Sequence, residues 1–285
     1  MNGTPKDILL QFTKECISPD GQRYLSLSVN STSDAADQMQ SSVKDTEIRA
    51  LQNQIIPERY QRNIGTIGIE GQIKLLQAQV AIIGLGGLGG SALEMLLRWG
   101  VGSLVVVDKD ICADSNLNRQ VLCVPENLGE PKTEAAKQRA ANVNPSVHVK
   151  AVQLEADAQN LPDLLKGCSV AVDGLDNIRT RFVLEKACKG LGIPFVHGAI
   201  AGFMGQVASI FPGDMGLEAV YGSQDVLESG AEKDLGTPCA TPSAVAAWQV
   251  SEVVKILLGW ENVLRNKILF FDLKDHLVSI VDLAG

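Results

Sequence analysis

The 285-residue chain has no CxxC anywhere, no run of about 20 apolar residues, and no charged start leading into an apolar stretch and a small-residue cleavage site. Each absence excludes something. Without a CxxC, the six scattered cysteines (Cys16, Cys112, Cys123, Cys168, Cys188, Cys239) are expected to be reduced, mostly buried thiols. Without the long apolar run, no membrane span is expected, since Gln79 to Leu88 and Ser243 to Leu258 are broken by Gly, Gln, Glu or Lys. Without the start pattern, secretion is not expected. A basic excess is missing as well. The net charge of -8 argues against a general attraction to nucleic acid or anionic membranes. The expectation is therefore a cytoplasmic protein, with neither nucleic acid nor membrane as partner.

What is present fits a packed enzyme, with 45% hydrophobic and 20% charged residues and no internal repeat. Residues 1–50 read as an N-terminal extension, partly flexible, because Asn30 to Ser42 (NSTSDAADQMQSS) is polar and has little to bury. Within it, Asp7 to Cys16 and Lys44 to Gln54 are expected to be short helices. Residues 51–285 read as a single domain.

From Gln79 onward, short β-branched runs alternate with amphipathic segments, which predicts an α/β fold: a Rossmann-like, mostly parallel sheet flanked by helices. Strands are expected at Val80 to Ile83, Ser103 to Asp108, His148 to Gln153, Ser169 to Asp173 and Pro194 to Ala199, and helices at Gly89 to Trp99, Lys132 to Asn142 and Ile178 to Leu191. After Met204 the rhythm changes. Gly205 to Phe211, a Gly/Glu/Asp-rich loop to Pro242, a helix over Ser243 to Leu258, and the runs Lys267 to Asp272 and Leu277 to Asp282 predict an antiparallel C-terminal extension of the same sheet.

GLGGLG at Gly84 to Gly89 follows the strand VAII and opens a helix, the context in which such a turn binds phosphate. Gly84 permits the tight turn, Gly86 lets the backbone approach an anion, and Gly89 lets helix and strand pack closely. Asp108 ends the next strand, where a carboxylate can accept hydrogen bonds from a ribose. These features suit an NAD-dependent oxidoreductase and an ATP-dependent enzyme alike. Arg119 and Lys132 favour the second, because a triphosphate needs cations, and Asp176 in DGLDN (Asp173 to Asn177) can hold Mg²⁺ at the C-terminal end of a strand. Asp110 can hold Mg²⁺ too, or merely shape its loop.

ERYQRN (Glu58 to Asn63), GLGGLG, DKDxxxxSNLNRQ, GEPK (Gly129 to Lys132) and GLDN together resemble the ThiF/MoeB/HesA family, relatives of the ubiquitin-activating enzymes. The resemblance runs from about Pro57 to about Leu258. It implies an adenylyltransferase that uses ATP and Mg²⁺ to activate the C-terminal glycine carboxylate of a small ubiquitin-like sulfur-carrier protein ending in Gly-Gly, in thiamine, molybdopterin or related sulfur-transfer biosynthesis. It further implies that Gly86 and Asp108 hold the adenosine part, that Ser115, Asn116 and Arg119 surround the phosphates, and that Lys132 stabilises charge at the α-phosphate. Asp176 would bind Mg²⁺ with Asn177 beside it. Arg62 would reach ATP bound by the partner subunit, which makes the enzyme a homodimer. Cys239, in GTPCATPS, lies where many relatives carry a cysteine that receives the carrier.

The family's two zinc-binding CxxC pairs are absent, the first falling near Ala219 to Gln224, so no zinc is expected. Rival readings are a family member acting on a small molecule or tRNA, an NAD-dependent oxidoreductase, and a non-catalytic binding module. His197, in FVHGA, reads as a satisfied core histidine.

Overall fold

The computed structural model describes residues 4–18, 21–222 and 235–283. It begins with a module of helix α1 (Pro5–Phe12), strands β1 (Lys14–Ile17) and β2 (Arg23–Leu27), helices α2 (Val29–Met39) and α3 (Val43–Gln52), and strand β3 (Ile55–Pro57). Thr4 caps α1 and Ser42 caps α3, each side chain accepting from a backbone N–H in the first turn. The polar run expected to bury little instead forms most of α2. It is capped by Ser28 and buries Thr32, Ala35 and Ala36. Small side chains suffice there because α2 packs closely on α1 and α3 around Leu9, Leu27, Ala50 and Ile55.

A second helix escaped the sequence reading, α4 (Gln61–Gln77), because Gly65, Gly68 and Gly71 break its apolar pattern. Gly68, at φ 69° and ψ 174°, kinks it. Between the module and the rest lies a buried polar joint. The Asn144 amide donates to the Tyr60 hydroxyl at 2.9 Å, and that hydroxyl donates to Glu47 at 3.2 Å. Arg59 pairs with both Glu47 and Asn144.

The main sheet then runs β4 (Gln79–Ile83), β5 (Ser103–Asp108), β6 (His148–Gln153), β7 (Val170–Asp173), β8 (Phe195–Ala201), β9 (Met204–Ile210), β10 (Lys267–Asp272) and β11 (Leu277–Asp282). Its order is β11-β10-β9-β8-β7-β4-β5-β6. The pairs from β6 through β8 are parallel, and those from β8 through β11 are antiparallel. The expected fold class holds, including its antiparallel extension. Helices α5 (Gly87–Trp99), α6 (Lys132–Val143), α7 (Leu161–Leu165), α8 (Ile178–Leu191), α9 (Glu218–Tyr221) and α10 (Ala240–Leu258) follow in chain order around it.

The central strands read as apolar runs because both faces are covered. Val80, Ile82, Val106 and Val172 pack towards α5 and α10, while Ala81, Ile83, Val107 and Ala171 pack towards α7 and α8. On α5, Leu93, Leu96 and Leu97 are fully buried, each worth about 1.5–3 kcal/mol of transfer free energy. Helix α10 starts three residues earlier than expected. Pro242 falls in its first turn, where a missing N–H costs no helical hydrogen bond, so it does not delay the start. Part of the Gly/Glu/Asp-rich loop before α10 lies outside the described residues. No helix among the described residues is long and apolar enough to cross a membrane.

Candidate functional site

In a sheet of this order, β4 lies between β5 and β7, whose chains leave it in opposite directions, so a crevice opens at its C-terminal end. A cavity of about 390 Å³ occupies that crevice. Two glycines shape its floor. A Cβ on Gly84, whose φ is +92°, would lie 2.4 Å from the carbonyl oxygen of Gly174, and one on Gly89 would lie 1.8 Å from that of Gly84. The turn therefore packs against the end of β7 as only glycine allows. Gly86 is different. Its nearest neighbour would stand 3.9 Å from an added Cβ, so the space above it is open to a ligand. Helix α5 begins there with no side chain capping its first N–H groups, which leaves them directed at the cavity for an anion.

Asp108 is held at this turn by two backbone donors, Leu85 N at 2.6 Å to one oxygen and Asp110 N at 2.7 Å to the other. Each oxygen keeps a further lone pair. Lys132, the first residue of α6, is buried, and its ammonium meets the Asp110 carboxylate at 3.0 Å. Asp110 also shapes the loop, its carbonyl accepting from Lys132 N at 3.0 Å. Arg119 bends back to donate to the Ser115 carbonyl and the Asn118 side chain, both at 2.8 Å. Asn116 holds its own turn by accepting from Ala113 N at 3.0 Å. Across the cavity, Asp176 is exposed, with the Asn177 amide 3.3 Å away, and Asn177 caps α8 by accepting from Thr180 N at 2.9 Å.

The structure thus brings Gly84, Gly86, Asp108, Asp110, Asn116, Arg119, Lys132, Asp176 and Asn177 around one cavity. Four candidates lie elsewhere among the described residues. Gly89 sits beneath the turn, Ser115 offers its carbonyl to Arg119 rather than a side chain to the cavity, and Arg62 is exposed on α4. Cys239 is exposed at the N-cap of α10, two residues beyond Thr237, which does line the cavity. Sequence reading missed Gln120 and Arg181, both buried and both lining it. Gln120 directly follows Arg119, and Arg181 lies four residues after Asn177, the cap of α8; those spacings were the available signal.

Below the cavity lies a buried polar ring. The Asp173 carboxylate accepts from Leu175 N at 2.9 Å, meets His197 Nδ1 at 2.7 Å, and pairs with Arg181 Nε at 3.2 Å. His197 is fully buried, as expected of a core histidine, and burial is the largest influence on it, pushing its pKa below the ordinary imidazole value against the upward pull of Asp173.

One expectation about cysteine is corrected. Cys112 and Cys123, buried and with Cα atoms 5.4 Å apart, form a disulfide, in a segment that folds back beyond Cys123 so that the Cys112 backbone pairs with Glu130 and Gly129. Cys168 and Cys188 are buried thiols, and burial pushes Cys188 up to about 12.

No set of three or more His, Cys, Asp or Glu side chains able to hold a metal occurs among the described residues. Mg²⁺ does not need one. It is commonly held by one or two carboxylates together with substrate phosphates, and Asp176 lines the same cavity as Gly86.

The profile described as "ThiF family" matches residues 60–284. The SAMP-activating enzyme E1 of Haloferax volcanii is 37% identical over 223 residues, covering 76% of this chain and 82% of that protein. The sulfur carrier protein adenylyltransferase of Thermus thermophilus is 36% identical over 226 residues, covering 75% and 83%. The sulfur carrier protein ThiS adenylyltransferase of Bacillus subtilis is 35% identical over 216 residues, covering 73% of this chain and 64% of that protein. Among solved structures, E. coli MccB with AMPCPP and MccA shares the fold at a TM-score of 0.69 and 21% identity, covering 89% of this chain and 82% of that one.

Proposed function

Because the chain belongs to the ThiF family, matched over residues 60–284, we propose that it is an adenylyltransferase that joins AMP from ATP to the C-terminal glycine carboxylate of a small ubiquitin-like sulfur-carrier protein. The observation that carries this reading is the conjunction, around one cavity, of an open Gly86, two cations (Arg119 and Lys132), and an acidic residue facing them (Asp176). A hydride-transfer site has no use for that charge pattern, whereas a triphosphate does.

In this reading Asp108 receives the ribose hydroxyls on its remaining lone pairs, and the N–H groups at the start of α5 receive phosphate oxygens. Arg119 exchanges its contacts with the Ser115 carbonyl and Asn118 for phosphate, with Ser115 and Asn116 around it. Lys132 turns from Asp110 to the α-phosphate. Asp110 is half exposed, so water can solvate it once the pair opens. Mg²⁺, held by Asp176 beside Asn177, would neutralise phosphate charge and fix the leaving group. Asp110 shapes this loop and can supply a second carboxylate to the ion.

The acceptor carboxylate is already ionised, so no general base is required. One of its oxygens forms the bond to the α-phosphorus, and the bond to pyrophosphate breaks with its electron pair leaving on pyrophosphate. Orientation of the two reactants can account for about 7 to 11 kcal/mol of the barrier. Arg62, exposed and outside its own cavity, serves the cavity of a second copy, making the enzyme a homodimer. Cys239, exposed two residues beyond Thr237 of the cavity lining, receives the activated carrier in this reading. No zinc is part of the reading, and the cytoplasm is the proposed compartment. The test is ATP–pyrophosphate exchange with Mg²⁺ and a panel of small carriers ending in Gly-Gly. Exchange with one of them supports the reading; silence with every carrier, while ATP still raises the Tm, points to another acceptor.

A further inference from the structure

A second cavity, of about 180 Å³, opens beside the first along β8 and β9, and both are lined by Arg181 and Ile200. Tyr221 and Gln206 line the second cavity only, and both reach the buried ring beneath the first.

The hydrogen-bond roles around that ring are fixed by its chemistry. A carboxylate only accepts, so His197 Nδ1 carries the proton given to Asp173 Oδ2, at 2.7 Å. His197 Nε2 is then an acceptor, reached by the Tyr221 hydroxyl at 3.1 Å and by the Gln206 amide at 3.3 Å. The two lone pairs of the Tyr221 oxygen in turn accept from Gln206 Nε2 at 2.9 Å and Arg181 Nη1 at 3.3 Å. Arg181 closes the ring, since Nε faces Asp173 Oδ2 and Nη2 donates to the Leu175 carbonyl at 2.7 Å. Asp173 Oδ1 accepts from Leu175 N at 2.9 Å. Leu175 is thus gripped at both its N–H and its carbonyl, and the next residue is Asp176.

We infer that Tyr221 is a positioning residue: through His197 and Asp173 on one side and Arg181 on the other, its hydroxyl sets the 174–177 turn, and with it Asp176, from the wall of the second cavity. The inference deepens the adenylation reading and rests on it for the use made of Asp176. One hydroxyl group couples the two cavities, since four segments meet at it, the first turn of α8, β8, β9 and α9, and the end of β7 lies one link beyond, through His197 and Arg181.

Tyr221→Phe removes that hydroxyl and keeps the ring. Amide hydrogen exchange of the ligand-free protein is the first measurement. Residues 174–177 should exchange about fivefold faster in the variant while the β4 amides are unchanged. In pyrophosphate exchange, kcat should fall about tenfold with KM for ATP within about twofold, the split expected when an aligned group is lost rather than a binding contact. His197→Gln, whose carbonyl can accept from Tyr221 and whose amide can donate to Asp173, should retain part of the protection, keeping exchange at 174–177 slower than in Tyr221→Phe. Unchanged exchange at 174–177 in Tyr221→Phe overturns the inference, as does a loss of protection spread equally over β4. If the wild-type protein shows no pyrophosphate exchange with any acceptor, the activity reading fails, and the hydrogen-exchange comparison still decides the role of Tyr221.

Discussion

The Lys132 ammonium and the Asp110 carboxylate stand 3.0 Å apart in opposite surroundings, the lysine side chain 5% exposed and the aspartate 54%. The pair holds a cation in the wall of the cavity while leaving its counter-charge in water. Replacing Lys132 by Met keeps the buried stem and deletes the charge. Pyrophosphate exchange should fall by about 10²–10³, the loss typical of a removed transition-state donor, with the Tm little changed because Asp110 remains solvated. Turnover at the wild-type rate would remove Lys132 from the chemistry.

The turn glycines divide into two that the fold needs, Gly84 and Gly89, and one that the ligand needs, Gly86. Gly89→Ala would force a Cβ to within 1.8 Å of the Gly84 carbonyl, so stability should drop by about 3 kcal/mol or more through overpacking. Gly86→Ala meets nothing closer than 3.9 Å, so thermal unfolding should be nearly unaltered while the Tm rise produced by ATP is lost. Melting curves with and without ATP separate the two, and equal behaviour of both variants would contradict the geometry.

Protonation of His197 should be visible in stability. Its folded pKa lies below the unfolded value of 6.5, so the unfolded chain takes up a proton first as the pH falls. The contribution is complete above 6.5 and is lost as the pH drops towards the folded value, at a limit of about 1.4 kcal/mol per pH unit. Burial raises Glu47 and Glu185, whose contribution changes in the opposite sense, being lost as the pH rises through their folded values. Comparison with His197→Gln cancels them, since both proteins carry them. Between about pH 7.5 and pH 5.5 the wild-type protein should lose stability relative to the variant; parallel curves would show that His197 titrates normally.

If Arg62 acts across a dimer, Arg62→Ala and Lys132→Ala, each inactive alone, should regain about a quarter of the wild-type activity when mixed and allowed to exchange subunits, because half the dimers are mixed and each of those has one intact site. Mixtures that stay inactive would place Arg62 in its own subunit's site or outside the chemistry.

Cys239→Ser should leave adenylation at the wild-type rate and abolish transfer of sulfur to or from the carrier, read by mass spectrometry of the carrier. Full transfer by the variant would leave Cys239 without a chemical part.

Where apolar periodicity was strong, the sequence disclosed the fold: the runs LVVVD and VAII are strands covered on both faces, as expected, while the glycine turn between strand and helix suited NAD and ATP alike. Local pattern lost its power in two kinds of place. Helix α2 buries alanine and threonine rather than leucine, so close packing replaced the hydrophobic stripe that periodicity detects, and in α4 three glycines interrupt a stripe that ends in the buried Ile73, Leu75 and Leu76. Contacts distant in sequence were invisible in principle. Nothing in Cys112 and Cys123 announces that they meet, and His197 could be read as buried but not as one link between Asp173 and Tyr221.

The polar joint of Glu47, Arg59, Tyr60 and Asn144 gives the family boundary at residue 60 a physical cost. Sequence comparison begins at Tyr60, yet the hydroxyl of that residue donates to Glu47 on one side and accepts from Asn144 on the other. A chain shortened to begin there would keep Tyr60 and lose its acceptor, turning an internal seam into raw surface at the end of α6. The core and its preceding module thus meet through a buried seam, and a cut at residue 60 would open it.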